Sequence, residues 1–274
     1  MFMFESKIQQ GSKQSASSLM RMNIWLITVF CCLTTHTQVH AQQVTISSSG
    51  SIPPYVFAET GTGIQLDIIR EALSIAGHDL KVVYLSNNRG LSFLKTKHVD
   101  GVLNAPAGAA EYYYSDSTIE YQNGVTALKQ KALNISSISD LQSLRLVGFQ
   151  NASNYFGSEF KAMSQANSSY DEVVNQLAQL KLLFGKRCDA VVMDHRIFNY
   201  YLNAHSDKKG FDQETIFYDV LPPSPRYVAF HNKALRESFN EGLKALKASG
   251  RHQEIIEYYK HIIGEPNTTK SSSD

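Results

Sequence analysis

The chain has 274 residues, 43% of them hydrophobic and 19% charged, with a formal net charge of +1. That composition belongs to a folded globular protein, and the length accommodates two modest lobes. Near-neutral charge without any basic tract argues against a nucleic-acid or anionic-membrane binder.

The N-terminus reads as an export signal. Residues 24–33 form an apolar run too short to span a bilayer, and Arg21 precedes it. Val39-His40-Ala41 places small residues at the −3 and −1 positions of a cut before Gln42. Residues 1–41 are therefore assigned as a signal peptide, with Met20 or Met22 as alternative starts. Bulky Phe30 before Cys31 disfavours a lipid-modified cysteine. Of the three cysteines, Cys31 and Cys32 leave with the signal, so Cys188 alone remains. One thiol forms neither an internal disulfide nor a thiolate metal site.

In the mature chain, residues 44–46 predict a first strand, followed by a Ser/Gly-rich loop and the turn Pro53-Pro54. Gly63 precedes a helix over 64–76 with Leu66, Ile69, Leu73 and Ala76 on one face and Gly77 as its stop. Strands follow at 80–84, 101–103 and 125–128. The same grammar then runs again. Ser139 caps a short turn, 144–149 is a strand and 154–165 a helix. Asp171 caps a long helix ending at Gly185, 189–193 is a strand, and 196–203 a helix. Pro222, Pro223 and Pro225 break the chain before a strand at 227–230, and helices at 233–247 and 252–262 close the fold. The polar tail, 266–274, reads as disordered.

Two segments repeat without a gap. Residues 91–102 and 180–191 share Leu91/Leu180, Leu94/Leu183, Lys97/Lys186, Asp100/Asp189 and Val102/Val191. Each is a helix end, a basic turn and an apolar strand opening on Asp. A repeated helix-turn-strand unit implies two similar α/β lobes, and ligands of open parallel sheets bind outside the carboxyl ends of the strands. Those ends are Asn104-Ala105 and Met193-Asp194. The expected boundaries are 44–126 plus 226–265 for the first lobe and 130–222 for the second, with hinge strands near 126–129 and 226–230.

At this point the chain resembles a family. Pro54-Tyr55-Val56-Phe57, the run 63–67, Tyr114-Ser115-Asp116, 144–150, Asp189-Ala-Val-Val-Met-Asp194 and 243–250 follow the order seen in bacterial periplasmic solute-binding proteins of family 3. These are the amino-acid-binding type that feed ABC transporters. The resemblance covers roughly 44–264 and implies an α/β fold of the two-lobed type II periplasmic-binding-protein (flytrap) class, with two hinge strands.

The resemblance also implies site residues. Asp194 matches the acid that grips a ligand's α-amino group, its alternative being a cap of the helix at Arg196, a role compatible with the first. Ser153 and Asn154 match the hydroxyl-bearing ligand loop, where a helix N-terminus favours an anion. Ser49 matches a frequent acidic contact, Tyr55 lies in the Pro-Tyr motif, and Asn104 ends the first-lobe strand. The family's carboxylate-clamping Arg is missing, because 104–114 is shorter and contains none. Arg89, at a helix start, is a substitute candidate, its alternative being a solvated helix-end arginine. Tyr112, in the Tyr112–Tyr114 run, adds an aromatic wall with cation–π capacity.

No metal spacing, nucleophile elbow or phosphate loop is present in the sequence, so no catalytic residue, metal or cofactor is assigned. The leading reading is a periplasmic, monomeric protein that binds an amino acid derivative or other amine-bearing solute. By resemblance, it hands that ligand to an ABC permease of the inner membrane. The alternatives are a stand-alone sensor for a signalling receptor and a dehydratase-type enzyme on the same fold.

Overall fold

The computed structural model describes residues 42–105, 108 and 110–264. The assigned signal peptide and the polar tail lie outside the described residues. Two five-stranded sheets organise the rest.

The first sheet holds β1 (Gln42–Ser48), β2 (His78–Tyr84), β3 (Gly101–Leu103), β4 (Tyr113–Tyr114) and β12 (Val228–Phe230), in the order β2-β1-β3-β12-β4. β1 runs parallel to β2 and β3, and β12 returns antiparallel between β3 and β4. The second sheet holds β6 (Asn123–Leu128), β7 (Leu146–Phe149), β8 (Tyr170–Val173), β9 (Ala190–Asp194) and β10 (Thr215–Tyr218), ordered β10-β6-β9-β7-β8. β7 is parallel to β8 and β9, and β6 is antiparallel to β9 and β10. Between the two sheets the chain crosses twice, as β5 (Ile119–Tyr121) and β11 (Ser224–Arg226), which pair antiparallel with each other.

The crossing therefore falls earlier than the sequence suggests. β6 pairs along its length with β9 and β10, so it belongs wholly to the second sheet. β12 is wholly within the first. Other elements shift for identifiable reasons. Asp171 is not a cap, because Tyr170–Val173 pairs with β7. Asn175 caps the next helix instead, its side chain accepting from the Leu177 N–H at 2.9 Å. The helix expected over 154–165 splits at Gly157, whose φ of 85° breaks the right-handed path. Ser137 rather than Ser139 forms the capping box with Asp140.

The sequence repeat has a physical basis. Lys97 and Lys186 both sit in the left-handed region, at φ 59° and 56°. Each ends its helix with paired return bonds, Lys97 N–H to Leu94 O and His98 N–H to Phe93 O in one lobe, Lys186 N–H to Leu183 O and Arg187 N–H to Leu182 O in the other. Asp100 then accepts from the Thr45 N–H at 2.8 Å while donating its own N–H back to Thr45 O. Asp189 does the same with Arg145, at 3.0 Å. These acids clip the opening of one parallel strand to its neighbour.

The helix α1 (Ile64–Ile75) buries Ile64, Leu66, Ile68, Ile69, Ala72 and Leu73 on the first sheet. It starts at Gly63, where φ is 129° and an added Cβ would lie 2.4 Å from the Tyr55 carbonyl oxygen. That close approach lays the 53–57 loop on the helix start and fixes Tyr55, just after the cis Pro53–Pro54 bond. Helix α2 (Asn87–Lys95) follows β2 on the rim of the same lobe.

In the second lobe, α3 (Ala152–Tyr155) and α4 (Gly157–Ala166) follow β7, α5 (Gln176–Phe184) follows β8, and α6 (His195–Asn203) follows β9. Two C-terminal helices, α7 (Lys233–Ala248) and α8 (Arg251–Tyr258), cover the first lobe, and a short third, α9 (Lys260–Ile263), packs against α6 of the second. Buried side chains of both lobes merge into one cluster, joined where Asn203 donates to Ile262 O at 3.2 Å.

Candidate functional site

The two lobes meet through four layered side chains. Tyr55 of the first lobe stacks on Tyr121 of the crossing strand β5, with ring centroids 3.9 Å apart and planes 15° from parallel. The Arg226 guanidinium carbon lies 4.1 Å from the Tyr121 centroid and 4.6 Å from that of Tyr155 in α3. A ring offers two faces, and Tyr55 already fills one face of Tyr121, so Arg226 takes the other. The pile Tyr55–Tyr121–Arg226–Tyr155 therefore runs from one lobe to the other.

Asp194 terminates the pile on the Tyr55 side. The Tyr55 hydroxyl donates to the Asp194 carboxylate, 3.0 Å from each oxygen. One of those oxygens also accepts from the Ile197 N–H at 3.0 Å, so Asp194 caps α6. Arg196 reaches the Tyr55 hydroxyl at 3.4 Å and the Glu120 carbonyl at 3.3 Å. Tyr55 and Asp194 are 0% and 1% exposed, in a contact that spans 139 residues of sequence.

Burial sets the electrostatics here. Desolvation pushes the Asp194 carboxyl above its ordinary range, opposed by the Ile197 N–H, the nearby Arg196 charge and the Tyr55 hydroxyl. Burial and the Asp194 charge push the Tyr55 phenol well up. Burial also raises Tyr121, and it lowers Arg226 against the opposing effect of the two tyrosines. Asp194 and Arg226 thus place opposite charges on the two sides of one tyrosine pair.

Asn104 joins this group from the end of β3. It holds a left-handed conformation at φ 55° and forms a reciprocal amide pair with the fully buried Gln65, at 2.9 and 3.1 Å. Its Nδ2 reaches the Tyr121 hydroxyl at 3.4 Å. Asn104 and Asp194, the two strand ends, are therefore linked through two tyrosines. Asn123, opposite Asp194 in the β6–β9 ladder, is 4% exposed and its buried Nδ2 has no hydrogen-bond partner among the described residues.

Other sequence candidates lie elsewhere. Arg89 is exposed, its guanidinium 5.2 Å from the ring of Phe93 on its own helix, and no hydrogen bond or ion pair among the described residues ties it to the pile. Ser49 is exposed at the β1 end. Tyr112 is half-buried against the small cluster around Leu94 and Val102, while Tyr113 is 41% exposed. The Ser153 loop is already filled. Glu172 of β8 accepts from the Asn151 N–H at 2.6 Å, the Ser153 N–H at 2.8 Å and the Tyr170 hydroxyl at 2.9 Å. Burial alone would raise the Glu172 carboxyl, but these donors outweigh it and hold the group below its usual range. Exposed Asn154 lies inside α3 and donates its N–H to Asn151 O at 3.0 Å.

Residues 44–261 match the family model of bacterial extracellular solute-binding proteins, family 3. The chain belongs to this family. By sequence, no curated protein matches it. Its fold is similar to substrate-binding domain 2 of Lactococcus lactis GlnP in an open conformation, at 20% identity, covering 80% of this chain and 95% of that one with a TM-score of 0.60. It is similar also to an ancestral arginine-binding protein bound to arginine, at 18% identity, 80% and 99% coverage and a TM-score of 0.61. A histidine kinase sensor domain with similarity to periplasmic binding proteins matches at 15% identity, 79% and 95% coverage and a TM-score of 0.62. The family match and these likenesses agree with the two-lobed α/β fold expected from the sequence. Among the described residues no helix is long and apolar enough to cross a membrane, and no acid, histidine and cysteine group could hold a metal ion.

Sequence reading missed Tyr121, Tyr155, Arg226, Gln65 and Glu172. The signal available for Arg226 and Tyr121 was their position in short polar-flanked segments next to the lobe boundaries.

Proposed function

We propose that the protein captures a small amine-bearing solute between its lobes and delivers it to an ABC-type permease. The observation that carries this reading is Asp194. It is a desolvated carboxylate at the lobe contact, engaged across that contact by a neutral hydroxyl. A ligand ammonium offers the same donors plus a full charge, and a hydrogen bond to a charged group contributes about 1.5–3 kcal/mol. Exchange of Tyr55 for an ammonium would couple ligand capture to rearrangement of the lobes.

Export to the periplasm follows from the signal-like N-terminus and suits the extracellular family. A second reading, a sensor that presents its ligand to a signalling receptor, draws on the likeness to a histidine kinase sensor domain. Dehydratase chemistry has no support from the comparisons.

The test is a thermal-shift screen against amino acids, polyamines, betaines and small carboxylates, followed by calorimetry on Asp194→Asn. Asparagine keeps the cap and the shape but not the charge, so affinity for an amine ligand should fall by about 1.5–3 kcal/mol, roughly ten- to more than a hundredfold. Unchanged affinity would remove the amine role of Asp194.

A further inference from the structure

Beyond β5 and β11, the chain passes between the lobes a third time. Helices α7 and α8 pack with α1 on the first lobe, but past Tyr259 the chain turns and lays α9 on α6 of the second. Ile263 of α9 is 1% exposed and shares one buried cluster with Ile197 and Phe198 of α6 and with Ile255 and Tyr259 on the first-lobe side. At the end of α6, the Asn203 amide donates to Ile262 O at 3.2 Å. Gly264 closes α9 at φ 78°, and an added Cβ would stand 3.0 Å from both Cβ and Cγ of Asn203. That approach is close enough to exclude any side chain at 264.

The rest of α6 is fastened as well. Asp194 caps its first turn while accepting from Tyr55 of the first lobe. Tyr200, farther along, meets Phe57 nearly edge-on, with ring centroids 5.7 Å apart. Phe57 follows Tyr55 by two residues, and its other neighbour is Tyr259, at 6.4 Å and 18° from parallel. The 53–57 loop therefore touches α6 at its start and along its length, and α9 holds its end. Two short crossing strands alone would leave the lobes free to swing. A third chain link makes α6 either shed α9 or carry it against the Tyr259–Lys260 connection.

We infer that α9 is a strap between the lobes, limiting how far they part whatever the ligand. The competing role is local packing, in which α9 only covers apolar side chains at the end of α6.

Small-angle scattering and hydrogen–deuterium exchange on the purified protein separate the two, in the Tyr55→Phe background where the hydroxyl contact with Asp194 is gone. Gly264→Val drives a β-branched side chain into Asn203 from a left-handed position and should lift α9 off α6. Compared with Tyr55→Phe alone, the double variant should keep its circular dichroism spectrum and show a larger radius of gyration. Its amides at 195–198 should exchange about tenfold or more faster. These lie at the opposite end of α6 from Asn203, beyond the reach of local fraying. Equal radii and equal exchange at 195–198 in the single and double variants, whether both are open or both closed, overturn the strap. Should Gly264→Val fail to fold, Ile263→Ala carries the same comparison, because it removes a buried contact of α9 without a backbone clash.

Discussion

Tyr55→Phe isolates one hydrogen bond between the lobes. Phenylalanine keeps the ring that stacks on Tyr121 at 3.9 Å and changes no packing volume, so only the hydroxyl is lost. That hydroxyl is fully buried and lies 3.0 Å from both oxygens of a carboxylate that is itself 1% exposed. Donation to a charged group contributes about 1.5–3 kcal/mol, and removing it leaves the carboxylate with fewer donors in the same dry place. The Ile197 N–H and the Arg196 charge remain, so the expected loss of unfolding free energy is about 1–3 kcal/mol at neutral pH. Urea unfolding followed by circular dichroism measures it, and small-angle scattering detects whether the variant opens. The pH dependence has a definite sign. Burial already raises the Asp194 carboxyl and the Tyr55 hydroxyl opposes that rise, so the variant raises it further. A group raised in the folded state contributes fully below its unfolded pKa, and that contribution is lost as pH rises through the folded value. The gap between parent and variant should therefore widen from acid to neutral pH. Unfolding within about 0.5 kcal/mol of the parent, with an unchanged radius of gyration, would refute the idea that this hydroxyl latches the lobes.

The repeated helix ends give a second expectation. Lys97→Gly and Lys186→Gly should each stabilise by about 0.5–1 kcal/mol, since a left-handed L-residue costs about 1–2 kcal/mol and glycine returns part of that as unfolded-state entropy. Thermal melts of the single and double variants should show near-additive gains. A third concerns acid stability. Asp189 accepts from Arg145 at 2.8 Å and Lys131 at 2.9 Å, and Arg145 above all holds its carboxyl well below the ordinary range. That contribution is present above the unfolded carboxylate pKa of about 4 and is lost as pH falls. Asp189→Asn should cost about 1.5–3 kcal/mol at neutral pH and flatten the acid side of the stability curve. An unchanged acid limb in pH-dependent melts would contradict this reading.

Much of the fold was legible because it is local. The α1 stripe, the glycine at its start and the paired Lys-x-x-Asp turns each settle their own geometry within a few residues. The hinge was not legible for the opposite reason. β5 and β11 are three-residue strands whose pairing joins Tyr121 to Ser224 across the whole second lobe, and Pro225 inside one of them reads as a breaker. Arg89 illustrates another limit. A helix-start arginine and a helix-face arginine look identical in sequence, and here Phe93, four residues on, gives the guanidinium an aromatic surface on its own helix. Asp194 was legible as a cap or a ligand group, and the structure supplies the cap together with a partner no local pattern announces.

Both poles expected from the family pattern are occupied by protein groups, but they are not equally easy to vacate. At Asp194 the occupant is one neutral hydroxyl, and an arriving ammonium replaces its hydrogen bond in kind while adding charge. At the 151–153 loop the occupant is a carboxylate with three donors, at 2.6, 2.8 and 2.9 Å. Displacing Glu172 would forfeit bonds of about 1.5–3 kcal/mol each and put a second anion beside the first. A ligand carboxylate therefore gains nothing by entering that loop. Arg226, by contrast, has one buried donor, Nε, without a partner among the described residues, and aromatic rings on both of its faces. The two poles therefore differ in what must be broken to free them, a single hydroxyl at Asp194 against three donors at Glu172.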